Sequence, residues 1–201
     1  MSLTTETPSP QTPEHRSRLL EGMARSVAAK GYPDTTIADI VREAAVSRRT
    51  FYEHFSDKAG CLVALYEAAS SQALAELRDV IDPALEWQVQ VERAMLRYFS
   101  ILSRNPILLR TLFIEILGLG AAGLQARRRV NQQLADLMLE VVNQRPGERV
   151  RKQPLPPQLA MAIVGGINEL VLQSIEQERA DQLLELVGPA CSLLRAAILA
   201  E

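Results

Sequence analysis

Apolar residues along this chain of 201 residues recur mainly at spacings of three and four, which is the period of an amphipathic α-helix. The pattern predicts helices over residues 14–30, 56–81, 86–104, 107–117, 123–143, 157–178 and 181–199, and two shorter ones between residues 36 and 55. Glycine, proline and polar residues separate these helices, most clearly at Gly31, at Pro83 and over residues 145–156. No segment shows the strict alternation that is typical of a β-strand. We therefore expect an all-α protein.

The two short helices carry the most specific local signals. Thr36 lies where a helix N-cap is expected, and Asp39, three residues later, is its capping-box partner. The apolar residues of the first short helix share one face and are Ile37, Ile40, Val41 and Ala44. After a three-residue break, Ser47 can cap a second helix, on which Phe51 and Phe55 point inward at a spacing of four. This arrangement is typical of a helix-turn-helix.

The same segment resembles the DNA-binding region of the TetR family of bacterial transcriptional regulators. The matching residues are Thr36, Ile40, Ala44, Val46, Ser47, Thr50, Phe51, Tyr52, His54, Phe55 and Lys58. Ala45 departs from the pattern, because relatives often carry glycine there. If the turn requires a positive φ at Ala45, the alanine costs about 1 kcal/mol. The motif covers about a quarter of the chain, and the remainder is similar to the family only in its length and helical pattern.

The resemblance implies that the second short helix enters the major groove of operator DNA. Arg48, Arg49 and Thr50 lie in its opening turn, and an arginine side chain pairs well with the edge of guanine. Hydroxyl, imidazole and ammonium groups around it suit phosphate contacts. The candidate DNA-binding residues are Thr36, Ser47, Arg48, Arg49, Thr50, Tyr52, His54 and Lys58. The sequence leaves open which of the two arginines reads a base.

The second half of the chain resembles the family's helical ligand-binding and dimerisation domain. Methionine and aromatic side chains suit varied ligands, although the same residues equally suit a plain core. Asn168 and Glu169 interrupt an apolar run; they require hydrogen-bond partners or a ligand, or else they face solvent. The candidate ligand-binding residues are Trp87, Met95, Phe99, Phe113, Met138, Asn168 and Glu169.

The last two helices carry longer apolar stripes than one helix pair can bury. Two copies could bury them in a four-helix bundle with twofold symmetry, which is also how the family usually dimerises. We therefore expect a homodimer that forms through these two helices. Gly188-Pro189 interrupts the second stripe, and we expect it to kink the last helix.

Composition changes this interpretation little. The net charge is −2, and residues 14–60 hold eight Lys or Arg and seven Asp or Glu, so the placement of basic residues matters more than their number. Cys61 and Cys191 lie far apart, and we expect both to be buried thiols. Residues 118–123 spell Gly-x-Gly-x-x-Gly, but a dinucleotide site would need a preceding strand. We expect no catalytic residue, metal site or cofactor, which argues against an enzyme.

The expected organisation is a disordered tail over residues 1–13, a DNA-binding domain over 14–60, and a ligand-binding and dimerisation domain over 61–201. We expect a cytoplasmic protein with no membrane partner, because the N-terminus lacks the basic start and apolar core of a signal peptide. The predicted function is a repressor that a small apolar or amphipathic molecule releases from a near-palindromic operator. The alternative is a DNA-binding helical dimer without a small-molecule ligand.

Overall fold

The computed structural model of the chain describes residues 11–143 and 153–199, and these residues are helical with no β-strand. The prediction of an all-α fold is thus confirmed. The α-helices of the described ranges are α1 (Gln11–Asp34), α2 (Ile37–Ala44), α3 (Arg48–His54), α4 (Lys58–Arg78), α5 (Trp87–Leu102), α6 (Pro106–Phe113), α7 (Ala121–Asn143), α8 (Pro157–Glu176) and α9 (Val187–Leu199). Short 3-10 helices over Glu115–Leu119 and Leu183–Leu186 precede α7 and α9.

The two ends of the first predicted helix compare differently with the expectation. The predicted tail over residues 1–13 lies mostly outside the described residues, but α1 already begins at Gln11. At the other end, the regular helix stops at Gly31 as predicted, because Gly31 has φ 80° and ψ 164°, and a second, short helical stretch then continues as far as Asp34. The predicted loop over residues 145–156 is described only from residue 153 onward.

The chain divides between Leu65 and Tyr66 into two compact units. The predicted domain boundary after Gly60 falls slightly earlier and stays a prediction. In the first unit, Leu19 and Met23 of α1, Ile40 of α2 and Phe51 of α3 are completely buried. Burial of such side chains stabilises the unit by about 1.5–3 kcal/mol each and holds the two short helices against α1.

Helices α1 and α2 approach each other at Gly22. A Cβ atom at Gly22 would lie 2.6 Å from the carbonyl oxygen of Ile40 and 3.1 Å from the Cβ of Ala44. No larger residue fits this space, because the nearest neighbour is main chain rather than a movable side chain. The spacing between α1 and α2 is therefore set by backbone contact.

The core of the second unit is formed by α5, α7, α8 and α9 together with the 3-10 helix that precedes α9. Its most deeply buried side chains include Phe99, Ile163, Leu183 and Ile198. Cys191 is also buried here, and Cys61 is buried in the first unit, where burial raises the pKa of its thiol to about 12. Both cysteines are free thiols, in agreement with the sequence-based expectation.

The expected kink at Gly188-Pro189 is wrong. Helix α9 begins at Val187, so both residues lie in its first turn rather than in its middle. Proline is tolerated in a first turn, because the backbone N–H groups there have no partner within the helix. The residues before Val187 form the separate 3-10 helix instead.

Among the described residues, α8 is the one helix whose length and apolar composition would suit a membrane span. The packing of α8 against α7 and α9 gives a different reason for that composition. Ile163, Val164, Ile167, Val171 and Ile175 of this helix are all buried in the core of the second unit. We therefore describe α8 as a core helix.

Candidate nucleic-acid interface and apolar cavity

The start of α2 is fixed by a reciprocal capping box. The hydroxyl of Thr36 accepts a hydrogen bond from the Asp39 N–H at 3.2 Å, and the Thr36 N–H donates to the Asp39 carboxylate at 2.9 Å. Lys30 of α1 and Arg42 donate to the same carboxylate at 2.6 and 2.9 Å. The Lys30 hydrogen bond, followed by those from Thr36, holds the pKa of Asp39 well below its usual range. Asp39 thus joins α1 to the beginning of the helix-turn-helix.

The turn between α2 and α3 has the left-handed geometry that the sequence analysis considered. Ala45 has φ 51° and ψ 47°. Its N–H donates to the Arg42 carbonyl and the Val46 N–H donates to the Val41 carbonyl, both at 3.1 Å, which is a Schellman ending. The guanidinium of Arg18 donates to the Ala45 carbonyl at 2.8 Å. These hydrogen bonds hold Ala45 in the left-handed conformation, in which glycine is the usual residue.

Helix α3 begins at a second cap. The Ser47 hydroxyl accepts a hydrogen bond from the Thr50 N–H at 3.0 Å. Immediately after this cap, Arg48 is exposed, and the side chain of Arg49 is 90% exposed. The Arg49 guanidinium forms an ion pair with Glu53 one turn later, at 3.1 Å. The leading edge of α3 therefore presents two arginines to solvent.

The opposite face of α3 anchors the helix. Phe51 is completely buried and Phe55 nearly so, and their ring centroids lie 5.7 Å apart. Tyr52, which packs edge-on against Phe51, remains 57% exposed. His54 is half-buried, and desolvation, followed by the positive charge of nearby His15, lowers its pKa. At neutral pH this ring is therefore an uncharged hydrogen-bonding group.

Lys58 has partners within its own unit. Its ammonium donates to the carbonyl oxygens of Tyr32 and Thr35, both at 2.9 Å, and lies 4.2 Å from the centre of the Tyr32 ring. These contacts tie the first turn of α4 to the last turn of α1 and to Thr35, which follows it. A phosphate contact from Lys58 would have to share this ammonium, and that contact stays a prediction.

The eight candidate DNA-binding residues are all exposed or half-buried. They occupy the start of α2, the whole length of α3 and the first residue of α4. Phe51 holds α3 against the core, and the polar side chains Arg48, Arg49 and Tyr52 are exposed to solvent. The structure thus leaves all eight candidates at least partly exposed; their contact with DNA stays a prediction.

The second unit contains an apolar cavity of about 110 Å³. Residues from α4, α5, α7, α8 and α9 line it, and among them are four of the candidates: Trp87, Met95, Met138 and Asn168. The other three do not line it. Phe99 is completely buried in the core, Phe113 packs against the core, and Glu169 is exposed. Glu169 follows Asn168 by about 100° around the helix and lies on its solvent-exposed side.

One chain of polar side chains reaches the cavity wall. The Tyr98 hydroxyl of α5 donates to the Asn168 side-chain oxygen of α8 at 3.1 Å, and the Asn168 side-chain nitrogen donates to the Asn131 oxygen of α7 at 3.0 Å. Burial raises the pKa of Tyr98 well above its ordinary value. Tyr98 and Asn131 are not among the residues predicted from the sequence. Tyr98 lies three residues after Met95 on the same face of α5, which is the signal that could have found it.

Comparison with known proteins supports the resemblance and the fold. Residues 19–65 match the family model of bacterial regulatory proteins of the tetR family. No curated protein sequence matches the chain.

Three solved structures show the similarity in fold. The fatty acid degradation regulator FadR of Bacillus halodurans is 18% identical with a TM-score of 0.72 and covers 94% of this chain and 96% of its own. FadR of Bacillus subtilis, solved with stearoyl-CoA, is 17% identical with a TM-score of 0.75, and the coverages are 90% and 98%. A TetR-family regulator of Pectobacterium atrosepticum is 23% identical with a TM-score of 0.75, and the coverages are 97% and 99%.

Proposed function

We propose, on the premise that the chain belongs to the TetR family of DNA-binding bacterial regulators, that it is a ligand-responsive repressor. Two copies bind a near-palindromic operator, and a small apolar or amphipathic molecule releases them. The exposed leading edge of α3 is the observation that carries the DNA-binding part of the proposal. We further propose that the protein acts in the cytoplasm, where its operator is found.

The roles of the DNA-binding residues follow from their chemistry and exposure. Arg48 and Arg49 extend from the first turn of α3 and can form paired hydrogen bonds with guanine. Ser47, Thr50 and Tyr52 offer hydroxyl groups to phosphates. The other three candidates are His54 at the end of α3, Thr36 before α2 and Lys58 at the start of α4, and they add register and affinity rather than sequence specificity.

We propose that the dimer forms through α8 and α9. Leu184, just before α9, is 51% exposed, and Leu172 of α8 and Leu193 of α9 are half-buried. A Cβ at Gly165 or Gly188 would meet no atom of the described residues within 4 Å, so a second copy could approach the backbone there. A twofold dimer would present two α3 helices about one turn of DNA apart, which suits a near-palindromic operator.

The apolar cavity favours the ligand-responsive reading over a DNA-binding dimer without a ligand. Its lining includes flexible methionines and a tryptophan, which suit an apolar molecule. FadR of Bacillus subtilis was solved with stearoyl-CoA, which is apolar along its chain. We propose that the effector of this protein is likewise an apolar or amphipathic molecule. If it prefers the form that does not bind DNA by a hundredfold, the coupling is about 2.7 kcal/mol, which is enough for a switch.

Selection of bound sequences from random duplex DNA tests the DNA-binding part. The selected duplex should bind the wild-type protein, and an Arg48→Ala/Arg49→Ala variant should lose about 1–3 kcal/mol per base-reading arginine. An Arg93→Ala/Arg128→Ala variant is the control, because it removes the same charge from exposed positions of the second unit. Equal binding by both double variants across a salt series would contradict the assignment.

Ligand response is measured separately on the selected duplex. A library of apolar and amphipathic molecules is screened for compounds that lower operator binding by the wild-type protein. Release by at least one compound that binds the second unit supports the repressor proposal. If compounds bind that unit and none changes operator affinity, the ligand-free alternative is correct for the DNA function.

A further inference from the structure

The lining of the cavity is unusually free of charge. Gln90, Tyr98, Asn168 and the indole N–H of Trp87 are its polar groups, and the lining within the described ranges contains no Asp, Glu, Lys, Arg or His. Gln90 is already engaged, because its side-chain nitrogen donates to the Leu85 carbonyl at 2.6 Å. Two of the polar side chains in the lining, Tyr98 and Asn168, are hydrogen-bonded to each other.

Tyr98, Asn168 and Asn131 form a relay across three helices. Tyr98 and Asn168 are buried, with exposed fractions of 8% and 5%, and Asn131 is half-buried. In the direction observed, Tyr98 donates to Asn168 and Asn168 donates to Asn131. A tyrosine hydroxyl can both donate and accept, so Tyr98 retains an acceptor position for a molecule in the cavity.

The relay can also run in the opposite direction. The oxygen and nitrogen of a side-chain amide exchange places when the amide turns over, and they have nearly the same shape. If both asparagines turn, Asn131 donates to Asn168, Asn168 donates to the Tyr98 oxygen, and the Tyr98 O–H is free to donate. The same three residues can thus serve a ligand donor in one direction and a ligand acceptor in the other.

We infer that the cavity binds an uncharged, mainly apolar molecule whose single hydroxyl or carbonyl group pairs with Tyr98, and that the amide relay lets Tyr98 accept either group. This inference rests on the proposed function, since it names the class of effector for the same cavity. A carboxylate at this position would be buried with no cation among the lining residues, which is strongly unfavourable. A hydrocarbon without a polar group would form no hydrogen bond with the Tyr98 hydroxyl.

The single tryptophan of the chain provides the measurement. Trp87 lines the cavity, so its fluorescence reports on a molecule that enters it. The probes are 1-octanol, 2-octanone, octanoate and octane, which share a chain length and differ in the polar group. We expect 1-octanol and 2-octanone to bind with similar affinity and octanoate to bind the most weakly, with octane as the reference probe that makes no hydrogen bond.

The Asn131→Asp variant tests the relay. A carboxylate at position 131 can only accept, so Asn168 must donate to it, and the Tyr98 hydroxyl must donate to Asn168. Tyr98 can then accept from an alcohol but can no longer donate to a ketone. We expect Asn131→Asp to keep 1-octanol binding and to weaken 2-octanone about three- to tenfold. A change confined to one probe cannot come from general loosening of the cavity.

The Tyr98→Phe variant removes the hydroxyl and should weaken the binding of both polar probes about three- to tenfold relative to octane. Tyr66→Phe is its control, because Tyr66 is buried in the same unit but does not line the cavity. Thermal melts followed by circular dichroism check that each variant folds. If Tyr98→Phe does not fold, the half-buried Asn131→Asp variant still decides the question.

The outcomes separate this inference from the proposed function. An unchanged ratio of alcohol to ketone affinity in Asn131→Asp overturns the relay. Preferred binding of octanoate overturns the uncharged class while leaving a ligand cavity intact. If no probe changes Trp87 fluorescence, the inference fails for this cavity, and operator binding, measured independently on the selected duplex, still decides whether the protein is a DNA-binding regulator.

Discussion

Replacing Ala45 by glycine should stabilise the first unit, because Ala45 has φ 51° in the turn between α2 and α3. A non-glycine residue in the left-handed region costs about 1–2 kcal/mol, and glycine adopts that region without the Cβ clash. Glycine also makes the unfolded chain more flexible, which offsets about 0.4–1 kcal/mol of the gain. We therefore expect Ala45→Gly to raise the free energy of unfolding by about 0.5–1 kcal/mol.

Urea denaturation followed by helical circular dichroism measures this change. The matched control is Ala38→Gly, an exposed position inside α2 with ordinary helical geometry. There the same substitution should lower the free energy of unfolding by about 1 kcal/mol, because glycine is a poor helix former. The reasoning predicts opposite signs for two identical substitutions seven residues apart. Equal destabilisation by both would refute it, and would mean that the hydrogen bonds around Ala45 remove the strain.

Three further predictions concern the same unit. Gly22→Ala should lower the free energy of unfolding by about 1–3 kcal/mol, because the new Cβ atom would meet main-chain atoms of α2. Gly118→Ala is the control in the same urea titration and should be nearly neutral, because its Cβ atom would have no neighbour within 4 Å. Folding lowers the pKa of Asp39, so the ionised Asp39 stabilises the protein above about pH 4, and this contribution is lost as the pH falls. In the Asp39→Asn variant the melting temperature should therefore fall less steeply at acidic pH than in the wild type. An unchanged acid dependence of the melting temperature would contradict this. Glu53→Gln should strengthen operator binding about two- to fivefold, because it frees Arg49 from its ion pair and removes a negative charge from α3. An unchanged Kd on the selected duplex would count against DNA contact by the face of α3 that carries Arg49.

The helix-turn-helix could be predicted closely because its signals are local. Thr36 and Ser47 cap their helices through bonds that span three residues, and the structure has both bonds. Phe51 and Phe55 follow from a spacing of four on one helix, and both are buried. Side chains this near in sequence are brought together by helix geometry alone, so no knowledge of the tertiary fold is needed.

The cavity could not be predicted in the same way, because its polar residues come from separate helices. Asn168 bonds to Tyr98 across 70 residues and to Asn131 across 37 residues. The sequence analysis selected Asn168 but also its neighbour Glu169, since composition cannot decide which side of a helix faces inward. Such a choice depends on how α5, α7 and α8 pack, and that packing is absent from local periodicity.

The close approach at Gly22 has a consequence for how binding specificity can be altered. Since two polypeptide backbones touch there, the spacing of α1 and α2 does not depend on the identity of the side chains that point outward from α3. The exposed residues at positions 48 and 49 can therefore be exchanged without changing that spacing. A redesign that leaves residue 22 alone should yield variants that recognise new DNA sequences while melting at the temperature of the parent protein.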